Sequence, residues 1–139
     1  MGWKKYFLLA LIILSLTIFK SCSVNFQLKL SGSTAVAQTV NDQEAEAERL
    51  FEQGKKQFRS SQFDEALKSW KDSLTIFRQI GNRKGVANSL NNLGIDYRRL
   101  GSYPKAIDYH QQSLEFKKEI GSRQGIAQSL NNLGLAYHN

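Results

Sequence analysis

Apolar residues recur every three or four positions along most of the chain after Gln38, and no run there alternates between apolar and polar residues. This spacing is typical of amphipathic helices and predicts an all-α fold. We expect a first helix from Asn41 or Asp42, either of which can cap it, to about Ser60. A second helix is expected over 64–80, after a short polar break.

Three further helices follow the same pattern. The loop 81–85 leads into a third helix over 86–100, and a Gly-Ser turn leads into a fourth that ends near Ile120. The only proline, Pro104, falls in the first turn of the fourth helix, where its missing amide hydrogen costs nothing. A fifth helix is expected to begin after Gly125.

One segment of the chain returns almost unchanged forty residues later. Ser-Leu-Asn-Asn-Leu-Gly over 89–94 recurs over 129–134. A fixed period of this length is the signature of stacked helical repeats, in which each unit buries its apolar face on its neighbours. The helical part therefore divides into two full units and about a third of another, over 45–84, 85–124 and 125–139.

The third helix has two distinct faces when its residues are placed at about 100° intervals around the helix axis. The packing face, its copy in the next unit and the small residues that we expect against them are Leu90, Leu93, Gly94, Tyr97, Leu130, Leu133, Gly134, Tyr137, Gly54, Ala66 and Ala106. A larger side chain at Gly94 or Ala106 should overpack the helix pair, at a cost of about 1–3 kcal/mol. The opposite face and its copy carry Asn88, Asn92, Ile95, Arg99, Gln128, Asn132 and Leu135.

These residues carry a resemblance to a known family. The motif Leu-x2-Leu-Gly-x2-Tyr over 90–97, followed by Gly-x-Tyr-x2-Ala over 101–106, resembles the tetratricopeptide repeat, a helix–turn–helix unit usually of about 34 residues. The forty-residue period is similar to the longer variety of kinesin light chains, Pins/LGN polarity adaptors and many bacterial arrays. The resemblance covers residues 45–139 and is weakest in the first unit, where Gln53 and Gln57 replace the expected Leu and Tyr.

The resemblance implies a right-handed α-solenoid of about two and a third units, truncated in the third. It implies a concave groove, lined by the first helix of each unit, that binds a protein or peptide. The seven residues of the polar face are then groove candidates, and the backbone-binding asparagine of several relatives carries over to Asn92 and Asn132. The expected function is a peptide-binding adaptor that is not an enzyme and holds no cofactor.

Two alternatives to an adaptor stay open. The chain can be the N-terminal interaction arm of a larger enzyme, such as a CHAT-type protease. It can also be a structural module that associates with itself through the C-terminal helix. That helix carries a packing face without a following partner, over 130–137.

Residues 1–37 have the features of an export signal. Two lysines precede an apolar run over 7–19, whose 13 residues fall short of the roughly 20 that span a bilayer. An Ala-Val-Ala cleavage pattern ends at Ala37, and a lipoprotein signal would instead use Cys22, which has a poor lead-in because of a nearby lysine. We expect a periplasmic or secreted protein with a linker over 38–44. An uncleaved membrane anchor over 7–19 is the alternative.

Charge and composition exclude several other functions. The net charge is +7, but 15 basic and 12 acidic side chains remain after the signal region, without a basic block. A mixed solvated surface is therefore expected, with no nucleic-acid partner. The only cysteine lies in the signal region, so the repeats carry no disulfide framework or cysteine metal site. The Gly-x-Arg-x-Gly loops lack the Gly-Lys-Ser/Thr ending of a phosphate-binding loop.

The remaining candidates for chemistry have structural explanations. His110 lies at a packing position and is expected to be a half-buried imidazole. Asp108 lies two residues before it, so the two side chains point to different faces and cannot form a catalytic dyad. Arg83 and Arg123 are expected to pair with acidic residues of a neighbouring unit or to cap helix C-termini.

Overall fold

A computed structural model describes residues 35–138, which form five helices and contain no strand. We number them α1 to α5, over 35–59, Phe63–Gln79, Arg83–Arg99, Tyr103–Glu119 and Arg123–Tyr137. The chain divides into two compact segments, Met1–Thr39 and Val40–Asn139, and the second segment contains all of α2 to α5. The expected all-α solenoid of helical repeats is confirmed.

The expected signal lies almost entirely outside the described residues, as does the whole apolar run over 7–19. Among the helices of the described part, none is long and apolar enough to cross a membrane.

All four connections between the helices have the same design. A residue with positive φ follows each of the first four helices, at intervals of twenty residues: Ser61 (59°), Gly81 (72°), Gly101 (71°) and Gly121 (68°). The next amide in each turn donates to the carbonyl five residues back, as from Asn82 N to Phe77 O at 2.9 Å. This Schellman arrangement satisfies carbonyls that a helix end leaves open. Two such helix-and-turn segments make up the forty-residue repeat.

The turns are shorter than expected, because the following helices begin earlier than the glycine-rich sequence suggested. We expected a five-residue loop before α3, but α3 begins at Arg83 and contains Gly85 in its first turn. The side chain of Asn82 caps this helix by accepting from the amide of Gly85 at 2.8 Å. Ser122 caps α5 in the same way at 3.2 Å, so the expected start after Gly125 was also wrong.

The beginning of α1 also differs from the expectation. Residues 35–59 are helical, so Asn41 and Asp42 lie inside the helix and do not cap it. The segment 38–44, expected to be a linker, is helical as well. It contains no glycine or proline, the two residues that most disfavour a helix interior.

The core lies where consecutive helices pack together. Leu90 and Leu93 of α3 are fully buried, as are Ala66 of α2 and Ala106 of α4. Leu90 and Leu93 belong to a continuous cluster with Ala47, Ala66, Leu67, Trp70, Leu74, Phe77 and Val86. Tyr97 is half-buried and stacks on Tyr109, with ring centroids 5.3 Å apart.

Two equivalent glycines admit a ring from the next helix. A Cβ on Gly54 would lie 2.5 Å from Nε1 of Trp70, and a Cβ on Gly94 would lie 2.6 Å from Cε1 of His110. We expected Ala106 to be the residue facing Gly94, but the atoms nearest to it belong to His110. His110 is fully buried and not half-buried, because its ring fills the space that the missing side chain leaves.

Two serines tie the second helix of each full unit to the first. Ser73 Oγ donates to the carbonyl of Ala47 at 2.9 Å, and Ser113 Oγ donates to that of Ala87 at 2.8 Å. Both serines are fully buried. Sequence reasoning did not single them out, although they lie one period apart and could have been found on that ground.

The C-terminal helix leaves part of its packing face open. Leu130 is 53 % exposed, whereas its copy Leu90 is fully buried. Tyr137 is 65 % exposed, and a Cβ on Gly134 would meet nothing within 4 Å. Leu133 is buried, since it lies on the side of α5 that packs on the preceding helices.

Candidate functional site

Two open clefts lie between the first helices of consecutive units. The first cleft, between α1 and α3, has a volume of about 310 Å³ and is lined by Glu48, Phe51, Glu52, Phe77, Asn82, Lys84, Gly85 and Asn88. The second cleft, between α3 and α5, has a volume of about 500 Å³ and is lined by Lys84, Asn88, Lys117, Ile120, Ser122, Gln124, Gly125 and Gln128. Such volumes are in the range of ligand-binding clefts.

The two clefts are copies of one another at the forty-residue period, but their floors differ. Phe77 of the first cleft packs on Gly85, where a Cβ would lie 2.4 Å from its ring. Lys117 and Gly125 stand at the same places in the second cleft. One cleft therefore has an aromatic floor and the other has a lysine.

The structure places two of the seven expected groove residues in these clefts. Asn88 lines both clefts and Gln128 lines the second. Of the other five, Asn92, Ile95 and Asn132 are half-buried, and Arg99 and Leu135 are exposed. None of these five lines either cleft. The clefts lie nearer to the beginning of α3 and α5 than the helix-wheel argument indicated.

Asn132 is held by a neighbouring helix. Its Nδ2 donates to Oδ1 of Asn91 on α3 at 2.9 Å. This bond joins the first helices of consecutive units, a structural role that the sequence analysis did not assign. The carbonyl oxygen of the Asn132 side chain can still accept a hydrogen bond.

The first cleft carries acidic groups along one wall. Glu52 accepts from Nζ of Lys55 at 2.8 Å, and the Glu52 side chain is exposed whereas Lys55 is half-buried. Asn82 donates from Nδ2 to the carboxylate of Glu44 at 2.8 Å. This second bond joins α1 to the turn before α3 and fixes the end of the cleft.

The second cleft carries a buried cation. Lys117 is only 3 % exposed, and its Nζ lies 3.3 Å from Oε1 of Gln128. Burial lowers the pKa of the Lys117 ammonium, because the charged form loses solvation. Among the described residues, no carboxylate lies within ion-pair distance of it.

Two other buried ionisable side chains, Asp96 and His110, do not line either cleft. Burial, with a smaller contribution from Asp64, raises the pKa of the Asp96 carboxyl to about 7. Burial also lowers the pKa of His110 to about 4, helped by the charges of Lys117 and Arg98. No side-chain polar atom of Asp96 or His110 has a hydrogen-bond partner within the described part.

Arg83, in the first turn of α3, was expected to pair with an acidic residue of a neighbouring unit or to cap a helix C-terminus. It instead pairs with Glu119 of α4, the second helix of the same unit. Within residues 35–138, no group of three or more potential ligands could hold a metal ion.

Comparison with known proteins supports the same fold. The tetratricopeptide-repeat family model matches residues 57–119. Among solved structures, the TPR domain of Arabidopsis FLU superposes with a TM-score of 0.66 at 22 % sequence identity, over 69 % of this chain and 81 % of that one. At this identity the likeness shows the fold alone. No curated protein matches the chain in a sequence comparison.

The family match agrees with the helix pairs and with the recurring Leu-Gly and Tyr positions. All of them indicate a helix–turn–helix repeat. Such units are generally non-catalytic modules that bind other proteins. Residues 57–119 thus match the tetratricopeptide-repeat family, and the helices on either side of this segment share its fold.

Proposed function

We propose that this protein is an adaptor that binds a peptide segment of a partner protein across its two clefts. The observation that carries the proposal is the arrangement of Asn88, which lies between the clefts and lines both. A segment crossing α3 would contact the two clefts in succession.

The chemistry of the clefts suits a peptide backbone. The side-chain amides of Asn88 and Gln128 can each donate and accept hydrogen bonds, as a backbone requires. Phe51 and Phe77 give the first cleft apolar surface for a side chain of the ligand. The carbonyl oxygen of Asn132, with Asn92 at the same register, extends the polar surface beyond the clefts.

A selection from a random peptide library on the full chain tests this proposal. Binding peptides should compete with one another and should perturb the backbone amide signals of α3 and α5 near Asn88 and Gln128. Peptides that bind mainly to the outer surface of α2 and α4 would contradict it.

Self-association is a second candidate function, because the open face of α5 exposes apolar side chains whose copies in α3 are covered. Leu130 and Tyr137 are exposed, whereas Leu90 is buried and Tyr97 is half-buried. A second copy could cover this face. Sedimentation of the full chain against its Leu130→Glu variant tests it, since a charge on the contact face should shift a dimer towards monomer. Equal monomeric behaviour of both would contradict self-association.

We also propose that the protein acts outside the cytoplasm. The proposal rests on the lysine pair, the apolar run over 7–19 and the Ala-Val-Ala pattern. In a secretion-competent host, the mature chain should begin at Gln38. Recovery of the intact chain from the cytosol, with Met1 present by mass spectrometry, would contradict export. Intact chain in the membrane fraction would indicate the uncleaved anchor.

A further inference from the structure

The floor of the second cleft has a buried cation where the first cleft has an aromatic ring. The first cleft therefore shows which side chain is enough for packing at this position. In the first cleft, Phe77 packs its ring against Gly85. In the second, the Lys117 stem occupies the same place, and a Cβ on Gly125 would lie 2.9 Å from its Cδ. An aromatic residue therefore suffices for packing, and the ammonium group is an addition.

The ammonium of Lys117 has spare hydrogen-bonding capacity. It can donate three hydrogen bonds, and its partner in the described part is the neutral amide of Gln128, at a long 3.3 Å. A buried cation without a counter-charge is unfavourable, because the loss of hydration is not repaid. An anion entering the cleft would supply that charge.

Two other features of the second cleft favour an anion. The first turn of α5 forms one side of it and contains no acidic residue. Ser122 caps the amide of Gly125, and the amides of Arg123 and Gln124 have no acceptor within the helix. A helix N-terminus carries a partial positive charge. Lys84, an exposed cation at the start of α3, stands on the opposite wall.

We propose that the second cleft binds the side-chain carboxylate of an Asp or Glu in the bound peptide, between Lys117 and the N-terminus of α5. This inference rests on the proposed function, since it assigns one residue of the peptide to one cleft. A carboxylate fits better than a phosphate group, because the cleft offers lysines and no arginine fork for bidentate binding. The first cleft, with its aromatic floor and two glutamates, does not share the preference.

The site can be tested first with acetate, independently of any peptide. Acetate added to the full chain should shift the side-chain carbon signals of Lys117 and the amide signals of Arg123 and Gln124 in a saturable way. Sodium chloride at equal ionic strength should not. Equal effects of the two salts would overturn the carboxylate site. A failed peptide selection would instead remove the proposed adaptor function and leave the acetate result standing.

The peptide arm uses terminally blocked alanine heptapeptides with a central Glu, Gln or phosphoserine. The Glu peptide should bind about tenfold or more tightly than the Gln peptide, as expected for a charged hydrogen bond. A Gln peptide with a free C-terminus distinguishes a terminal carboxylate from a side-chain one. Equal binding of Glu and Gln peptides, or tighter binding of the phosphoserine or free-end peptide, would overturn the assignment.

Two variants of Lys117 and a neighbouring control complete the test. Lys117→Met keeps the stem, and Lys117→Phe restores the residue of the first cleft. Both should abolish the preference for Glu over Gln. Lys118→Met removes the adjacent exposed lysine, which pairs with Glu115, and should keep the preference. Loss of the preference to the same degree in Lys118→Met would overturn the assignment, since it would indicate a non-specific charge effect.

Discussion

Asn132 of α5 donates a hydrogen bond to Asn91 of α3, with 2.9 Å between Nδ2 and Oδ1. The two residues occupy different places in the repeated Asn-Asn pair: Asn91 is the first asparagine of its unit and Asn132 the second of the next. Asn131, the copy of Asn91, is exposed. The bond between Asn132 and Asn91 joins the first helices of the second and third units and fixes their register.

The two equivalent glycines Gly94 and Gly134 provide a matched pair of positions for testing how the helices pack. Gly94→Leu should destabilise the protein by about 1–3 kcal/mol or more, because its Cβ alone would lie 2.6 Å from the His110 ring. Gly134→Leu has the same sequence context but meets nothing within 4 Å, and should not destabilise. Urea unfolding followed by circular dichroism measures both. Equal destabilisation by the two substitutions would contradict the observed packing.

The turn after α1 offers a stabilising substitution. Ser61 has a φ of 59°, at the place where the other three turns have glycine. Because a side chain disfavours this left-handed backbone, Ser61→Gly should raise the free energy of unfolding by about 0.5–1 kcal/mol. Gly101→Ser, the reverse change at an equivalent turn, should lower it. A loss of stability in Ser61→Gly would show that the serine side chain has another role.

The buried Asp96 and His110 give opposing pH dependences. The pKa of Asp96 is raised to about 7 by burial, so its stabilising contribution is present below its usual pKa of 3.8 and is lost as the pH rises through 7. The pKa of His110 is lowered to about 4, so its contribution is present above 6.5 and is lost as the pH falls through 4. Between about pH 4 and 6.5 the two slopes oppose each other.

Single substitutions should expose each slope. Asp96→Ala introduces the residue that stands one period later, the buried Ala136. The stability of this variant should fall as the pH is lowered from 6.5 to 4. With His110→Phe, stability should fall as the pH is raised from 4 to 7. At pH 8, Asp96→Ala should be more stable than the parent chain by roughly 1–3 kcal/mol. Parallel pH profiles for the two variants would contradict this assignment.

The open face of α5 predicts unequal protection from hydrogen exchange. Amides over 127–137 should exchange faster than those over 87–97, since Leu130 and Tyr137 are exposed whereas their copies in α3 are buried or half-buried. In a monomer with equal protection over the two segments, this account of the C-terminal helix would be wrong. In a dimer, Leu130→Glu should restore the difference.

The fold could be predicted from the sequence because the same motif occurs twice, forty residues apart. The Leu-Gly and Tyr positions identified the packing face, and twenty-residue segments follow from evenly spaced glycines. The helix starts could not be placed, because Asn82 and Ser122 act as caps through side-chain geometry that outweighs the low helix propensity of Gly85 and Gly125.

The candidate site was harder to predict, since it depends on how neighbouring helices meet. A helix wheel shows which residues are opposite the packing face, but not which part of that face opens into a cleft. Asn88 and Gln128 lie in the clefts, whereas Asn132 is held by Asn91. Lys117 could have been found by asking which residue replaces Phe77 one period later.

The binding of a selected peptide to a cleft variant tests the central claim most directly. Asn88→Ala combined with Gln128→Ala removes two amides from the clefts, and Gln79→Ala combined with Gln111→Ala removes two exposed amides from the second helices. Calorimetry should show that the first variant loses about 0.5–1.5 kcal/mol of binding free energy per site while the second binds as the parent chain does. Unchanged affinity in the cleft variant, with loss in the other, would place the binding surface on the second helices and contradict the account.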